Sequence, residues 1–271
     1  MKTIVICGDH PRNYQIVKKL IEVDKINLKK VILLKREDMI PKAPSALSNE
    51  IKKLWYLHFE KRSNSENKYF NYKISDFLEL DQIININNIK ELKNNNIKNQ
   101  LLESDVCFLS GIPVIGEEIL KFLPAFTINL HMGLIPYYKG SITMFWPFYF
   151  LEPNMAGTTF HIIDKYVDTG EILHNNTPNL ERGDGLHDVA SKAIVDAAND
   201  IGLVVDHISY RIKNNKMPVK DPQLRFKGKL FTKSDWKPEM LKIIYELYED
   251  KIVDLYLDKK IVSKKPILKK L

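Results

Sequence analysis

Three polar residues set in apolar surroundings could do chemistry together. A buried-strand pattern from Ala125 to Leu130 delivers Asn129 and His131, which stand two apart and so point to the same side of the pleat. Asp168 follows His131 by 37 residues, in a turn with Asp164 that comes after a β-branched strand from Gly157 to Ile163. Such a turn can return an acid to the end of the first strand. An amide, an imidazole and a carboxylate brought together suit acyl transfer to an amine. The amide and a cationic imidazole stabilise the oxyanion of a tetrahedral intermediate, the imidazole takes the amine's proton, and the carboxylate orients and charges the imidazole. No nucleophilic side chain is needed, because the amine is the nucleophile.

The elements that must position these residues read as follows. Thr3 to Cys7 is a short apolar run ending at Gly8, and a helix from Asn13 to Val23 carries Ile16, Val17, Leu20 and Ile21 on one face. The connecting segment from Gly8 to Asn13 lacks the full glycine-rich phosphate fingerprint, so a dinucleotide site is not expected; Arg12 or the helix amino terminus is a candidate anion contact beside the plain reading of a turn. Val31 to Leu34 is the second strand and Ala46 to about Lys61 a helix. The stretch from Arg62 to Phe70 then reads as a polar loop closed by an aromatic anchor. Ile83 to Asn99 holds a short strand and a surface helix. Asp105 to Leu109 is a buried strand ending in Ser110-Gly111-Ile112-Pro113, a loop whose backbone groups can bind a flat heterocycle, with a helix start at Pro113 as a compatible reading.

After His131 come a loop marked by Gly133, Pro136 and Gly140 and an aromatic helix from Thr143 to Leu151. Glu171 to Asn176 adds a strand, and Asp184 to Lys213 reads as one long helix. Past Pro218, Leu224 to Phe231 suggests a hairpin around Gly228, and Pro238 to Tyr248 a terminal helix. Strands separated by helices argue for an α/β, Rossmann-like, mostly parallel sheet flanked by helices, with the catalytic edge at its carboxyl end. The expected division is a catalytic domain over residues 1–215 and a small hairpin-and-helix subdomain over 216–271.

His161 lies inside a strand with no partner visible in sequence, so a structural role is expected. Phe145, Trp146, Phe148, Tyr149 and Phe150 are too dense for one groove and read as core. Cys7 and Cys107 fall in buried strands without metal-ligand spacing, so they read as structural thiols and no metal is expected. A formal charge of +7 invites a phosphate or nucleic-acid partner, yet the lysines are spread evenly, which reads as a solvated surface and no nucleic acid. No run reaches the roughly eighteen apolar residues of a membrane span, and Met1-Lys2-Thr3 leads directly into a strand, so no membrane partner and a cytoplasmic place are expected.

The series Asn129-x-His131, Leu134-x-Pro136, Gly140, Gly157-x-Thr159-x-His161 and Asp164-x-x-x-Asp168-Thr169-Gly170 resembles the folate-dependent formyltransferases. That family includes glycinamide ribonucleotide transformylase, methionyl-tRNA formyltransferase and the sugar-nucleotide N-formyltransferases. The resemblance implies the formyltransferase fold, with Asn129, His131 and Asp168 as the catalytic trio. It implies N10-formyltetrahydrofolate as cosubstrate, its pterin held by Ser110, Gly111, Ile112, Pro113 and Ile115 against Asp164 and Val167. It also implies an acceptor site from His10, Arg12, Met132, Gly133, Tyr137, Tyr138 and Lys139, the last standing where the family often has Arg.

The short tail, the segment Arg62-x-x-x-Glu66-x-x-Tyr69-Phe70 and the run Gly228-Lys229-Leu230-Phe231 before Asp235-Trp236 are similar to the sugar-nucleotide enzymes. The implied acceptor is therefore a nucleotide-linked amino-dideoxy sugar such as GDP-perosamine or a dTDP-linked 3- or 4-amino sugar, and the hairpin and terminal helix offer a homodimer surface. The alternatives are a glycinamide ribonucleotide or methionyl-tRNA type formyltransferase, a hydrolase releasing formate from the same cosubstrate, and a catalytically silent folate or nucleotide-binding module.

Overall fold

The computed structural model describes residues 1–219 and 227–271. Five strands run parallel: β1 (Lys2–Gly8), β2 (Asn27–Leu34), β3 (Ile83–Ile86), β4 (Val106–Ser110) and β5 (Phe126–His131). β7 (Thr158–Ile162) and β8 (Ile172–Asn176) extend the same sheet antiparallel, giving the order β3-β2-β1-β4-β5-β7-β8. β6 (Tyr138–Gly140) lies outside this sheet. The mostly parallel architecture expected from the sequence is present.

Alternation along β1 decides how the layers form. Val5 and Cys7 face the core shared with α1 (Pro11–Ile21) and α6 (Leu186–Lys213), while Ile4 and Ile6 face the core shared with α3 (Asn95–Leu102) and α4 (Glu117–Leu120). A strand apolar on both faces is the mark of a covered parallel sheet. Both cysteines are fully buried in it. A further core joins α2 (Asn49–Tyr69), α5 (Phe145–Tyr149) and the start of α6 to Phe231, Leu241, Ile244 and Ile252. Among the described residues no helix is long and apolar enough to cross a membrane.

Three local expectations are corrected. α2 runs from Asn49 through Tyr69, so the expected polar loop is mostly the last turns of a helix. Its polar residues face inward and find partners: Ser65 Oγ donates to the His187 carbonyl at 2.9 Å, which hides the helical period from a count of apolar letters. α4 begins at Glu117 instead of Pro113, and α5 is shorter than the expected helix. The helix expected over Pro238 to Tyr248 is present as a continuous helical run, a 3-10 turn (Pro238–Met240) leading into a π stretch (Ile243–Leu247), and α7 (Ile252–Leu257) follows it. Residues 224–226 of the expected hairpin lie outside the described residues; β9 (Lys229–Phe231) pairs in parallel with β6. Gly228, at φ +67°, makes this possible, since a Cβ there would overlap the Pro136 carbonyl.

Candidate active site

β5 ends the parallel part of the sheet, and the reversal into β7 sets the register of the site. Asn129 is paired with His161 and His131 with Thr159. Asp168 comes from the turn between β7 and β8, held in the left-handed region at φ +53°, a conformation that costs a side-chain-bearing residue energy. The turn is built by Asp164, whose Oδ1 accepts from Tyr166 N–H at 2.9 Å and Thr169 Oγ at 2.7 Å. Asp168 Oδ2 lies 3.4 Å from His131 Nδ1 and accepts from Gly140 N–H at 2.7 Å, while Oδ1 lies 3.4 Å from His161 Nε2. The structure thus brings Asn129, His131 and Asp168 together, and brings His161 with them.

His161 is the residue the sequence analysis misjudged. Its Nε2 is 3.1 Å from Asn129 Nδ2, and its Nδ1 is 3.1 Å from the Ile162 carbonyl. The overlooked signal was Thr159 and His161, two polar residues spaced two apart in a buried strand, the same pattern as Asn129 and His131. Asn129 Nδ2 carries two hydrogens, so one can meet His161 while the other serves a developing oxyanion.

The His131 ring is oriented by the loop that follows it. Its Nε2 lies 2.9 Å from the Tyr138 carbonyl, which can only accept, so the proton of the neutral ring sits on Nε2 and the Nδ1 lone pair faces Asp168. Gly133 leaves room for this contact, since a Cβ there would lie 2.5 Å from His131 Nε2. Burial pushes His131 below the ordinary imidazole value, against the opposite pull of Asp168 and the Tyr138 carbonyl. Burial works to raise Asp168, but His131, His161 and the Gly140 N–H overcome it and hold the carboxyl well below the usual range. A neutral base beside a permanent anion results.

Around this centre the expected contacts divide. Ile112 and Ile115 are half-buried and Pro113 exposed in the loop after β4, and Ile163, at the start of the 164–168 turn, packs on the same apolar cluster. Val167, in the 164–168 turn, is also half-buried. Ser110 Oγ is used internally, donating to Asn13 Oδ1 at 2.8 Å, and Gly111 leaves space for that amide. Met132 packs between two cores. Tyr138 turns its phenol to Glu152 at 2.5 Å and stacks on Phe231, so it offers His131 its backbone and not its side chain. Lys139 is buried, and burial lowers its ammonium against the pull of Asp168. Tyr137 Oη accepts from Ile267 N–H at 3.1 Å.

A second polar cluster sits where β1 and β2 end. Arg12 Nη1 donates to Glu66, and Arg62 Nε lies 4.0 Å from the same carboxylate oxygen. His10 donates Nε2–H to the Glu37 carbonyl at 2.7 Å and accepts from Arg12 Nη2 at 3.2 Å, so both its nitrogens are engaged and it braces Arg12. Arg62 also donates to the Met39 carbonyl at 2.7 Å. The buried Nε groups of both arginines have no hydrogen-bond partner among the described residues. The sequence analysis singled out Arg62 and Glu66 but gave them no place in the site, because their segment was read as loop. A cavity of about 280 Å³, lined in part by Lys61, Ser65, His187 and Asp250, lies apart from the trio.

Comparison with known proteins bears on the fold. The chain is 18% identical to a 4-N formyltransferase from Francisella tularensis, with a TM-score of 0.53 over 87% of this chain and 78% of that one. It is 17% identical to phosphoribosylglycinamide formyltransferase from Anaplasma phagocytophilum, with a TM-score of 0.51 over 76% of this chain and 88% of that one. At such identities the likeness is one of fold. Methionyl-tRNA formyltransferase from Desulforamulus reducens is 30% identical over 117 residues, a match spanning 41% of this chain and 37% of that protein. The chain thus covers little more than a third of that curated relative. Residues 1–203 match the model of the formyl transferase family, and the chain belongs to that family.

Proposed function

We propose that the chain moves the formyl group of N10-formyltetrahydrofolate to the amine of a nucleotide-linked amino-dideoxy sugar. The observation that carries this reading is the convergence of Asn129, a neutral His131 and an ionised Asp168, with His131 Nδ1 and Asp168 Oδ2 3.4 Å apart. The cosubstrate supplies the formyl carbon and a nitrogen leaving group. Asn129 donates its second N–H to the oxygen that becomes negative as the acceptor nitrogen bonds to carbon. His131 takes the amine's proton at Nδ1, and Asp168 holds the imidazolium so formed. As the original carbon–nitrogen bond breaks, the imidazolium gives up that proton, which passes by way of Asp168 and water to the leaving nitrogen, so the products are a formamide and tetrahydrofolate and His131 is neutral again.

Two features support a charged, nucleotide-linked acceptor. Arg12 and Arg62 place two permanent cations against one carboxylate at the carboxyl ends of β1 and β2, a setting suited to a diphosphate. The 133–140 loop, with Gly133, Tyr137 and Lys139, lies between His131 and Asp168 in sequence and would line the sugar. Residues 1–215 form the catalytic unit in this reading and 216–271 an appendage, with β9 and the terminal helices as the surface of a homodimer in the cytoplasm.

The test offers N10-formyltetrahydrofolate with GDP-perosamine, dTDP-linked 3- and 4-amino sugars, and glycinamide ribonucleotide in parallel, following tetrahydrofolate release. Turnover with a nucleotide sugar is expected. Turnover with glycinamide ribonucleotide alone would move the reading to the purine type, and none with any acceptor would favour a silent binding module.

A further inference from the structure

We infer that residues 264–271 form a strap that positions the catalytic loop, and that Asn175 is the positioning residue through which the strap acts on His131. This rests on the formyl-transfer reading above.

β8 is the edge of the large sheet, and the chain's last residues cover it. Asn175 N–H donates to the Lys269 carbonyl at 2.7 Å, and Leu271 N–H donates to His174 Nδ1 at 3.1 Å. The hold is mostly polar: Ile267 is 83% exposed, and Pro266 and Leu268 are only half-buried. A segment held mainly by polar contacts with little buried apolar area opens at lower free energy than the core, as a device that can be engaged or released must.

The side chain of Asn175 is buried and fully used, and its two ends reach different parts of the molecule. Oδ1 accepts from Lys269 N–H at 3.0 Å. Nδ2 donates to Thr159 Oγ at 2.8 Å and to the Ile135 carbonyl at 3.4 Å. Thr159 Oγ in turn donates to the Gly133 carbonyl at 2.7 Å and accepts from Ile135 N–H at 3.0 Å. Tyr138 N–H donates to the Leu134 carbonyl at 2.8 Å, and the Tyr138 carbonyl holds His131 Nε2. A second link runs directly from Ile267 N–H to Tyr137 Oη. The hydrogen bonds are therefore continuous from the strap to the imidazole. The Lys269 N–H fixes which way the Asn175 amide faces, and without it the amide loses the restraint that aims its NH₂ at the loop.

The consequence falls on turnover more than on binding. The Tyr138 carbonyl keeps the His131 proton on Nε2 and so keeps Nδ1 available, whereas the ledge formed by Ile112 and Ile115 is untouched by the strap.

The experiment compares the full chain, a chain lacking residues 264–271, and Asn175→Asp, which keeps the acceptor toward Lys269 and loses the donor toward Thr159. We expect both variants to lose roughly three- to thirty-fold in kcat, the range of couplings carried through such networks. KM for N10-formyltetrahydrofolate should stay within about twofold, and the acid limb of the kcat profile should move. Amide exchange over residues 133–140 should speed up in both. A synthetic peptide of residues 264–271 should restore the truncated chain and leave Asn175→Asp unchanged. A folded truncated chain with unaltered kcat, pH profile and exchange over 133–140 overturns the inference. If truncation unfolds the protein, exchange over 133–140 in Asn175→Asp decides by the same criterion. If the full chain transfers no formyl group to any acceptor, the formyl-transfer reading fails by itself, and exchange still tells whether strap and loop are linked.

Discussion

Two buried carboxylates, Asp168 and Glu66, are each set beside a pair of basic side chains, yet the pairs differ in kind. Asp168 lies 3.4 Å from two imidazoles, and Glu66 is bonded to one guanidinium with a second 4.0 Å away. An imidazole gains and loses its proton near neutral pH, whereas a guanidinium keeps its charge throughout. The first site can therefore carry a proton between reactants, and the second can only hold charge in place. The nature of the neighbouring bases, not the acid itself, separates a reaction centre from an anchor.

The contrast can be broken most decisively at the first site. His131→Ala or Asp168→Asn should lower kcat roughly a thousandfold, about 4 kcal/mol, with the circular dichroism spectrum retained. A loss below tenfold would remove the distinction. In the unaltered protein the acid limb of kcat should lie below the ordinary imidazole value, because burial lowers His131.

At the anchor, Arg12→Met should act on stability and acceptor binding. It leaves the buried Glu66 carboxylate with only the more distant Arg62, at a cost of about 3 kcal/mol read from the urea midpoint, and it weakens binding of a nucleoside diphosphate. An unchanged midpoint would show that Glu66 does not depend on Arg12.

A third pair of bases, with no carboxylate between them, sharpens the comparison. His58 Nδ1 lies 2.8 Å from the Tyr245 hydroxyl and 3.3 Å from His187 Nε2, and burial together with Arg62 holds His58 down to about 3. The unfolded chain then binds more protons below pH 6.5, so stability is full above that pH and falls as pH drops toward the folded value. The expected loss between pH 6.5 and 5 is about 2 kcal/mol. Urea unfolding at both pH values should show it, and His58→Phe should reduce the dependence, with His187, which burial lowers as well, keeping its share. The smallest effect is expected at His161→Gln, about tenfold in kcat, since this residue acts by holding Asn129. A loss as large as that of His131→Ala would instead put His161 in direct proton transfer.

The parts legible in the sequence were those whose signal is local. β1, β4 and β5 are short apolar runs, and α6 repeats its apolar letters at helical spacing, so each announced itself within its own residues. The last turns of α2 did not, because Ser65 and Glu66 face inward on polar partners instead of apolar ones. The turn that leads from the terminal helix into α7 was equally silent, since Glu249 and Asp250 take positive φ without any glycine to mark the place.

The amino-acid sequence by itself determined the strand and helix periods, the placing of Asn129 and His131 on one face, and the turn carrying Asp168. These follow from bond geometry over a few residues. The tertiary structure decided that His161 stands opposite Asn129, that Arg62 meets Arg12 at Glu66, and that Lys269 grips Asn175, because each depends on a register or docking between segments far apart in the chain. Such pairings are fixed by the burial of whole elements against one another, which no stretch of a few residues encodes.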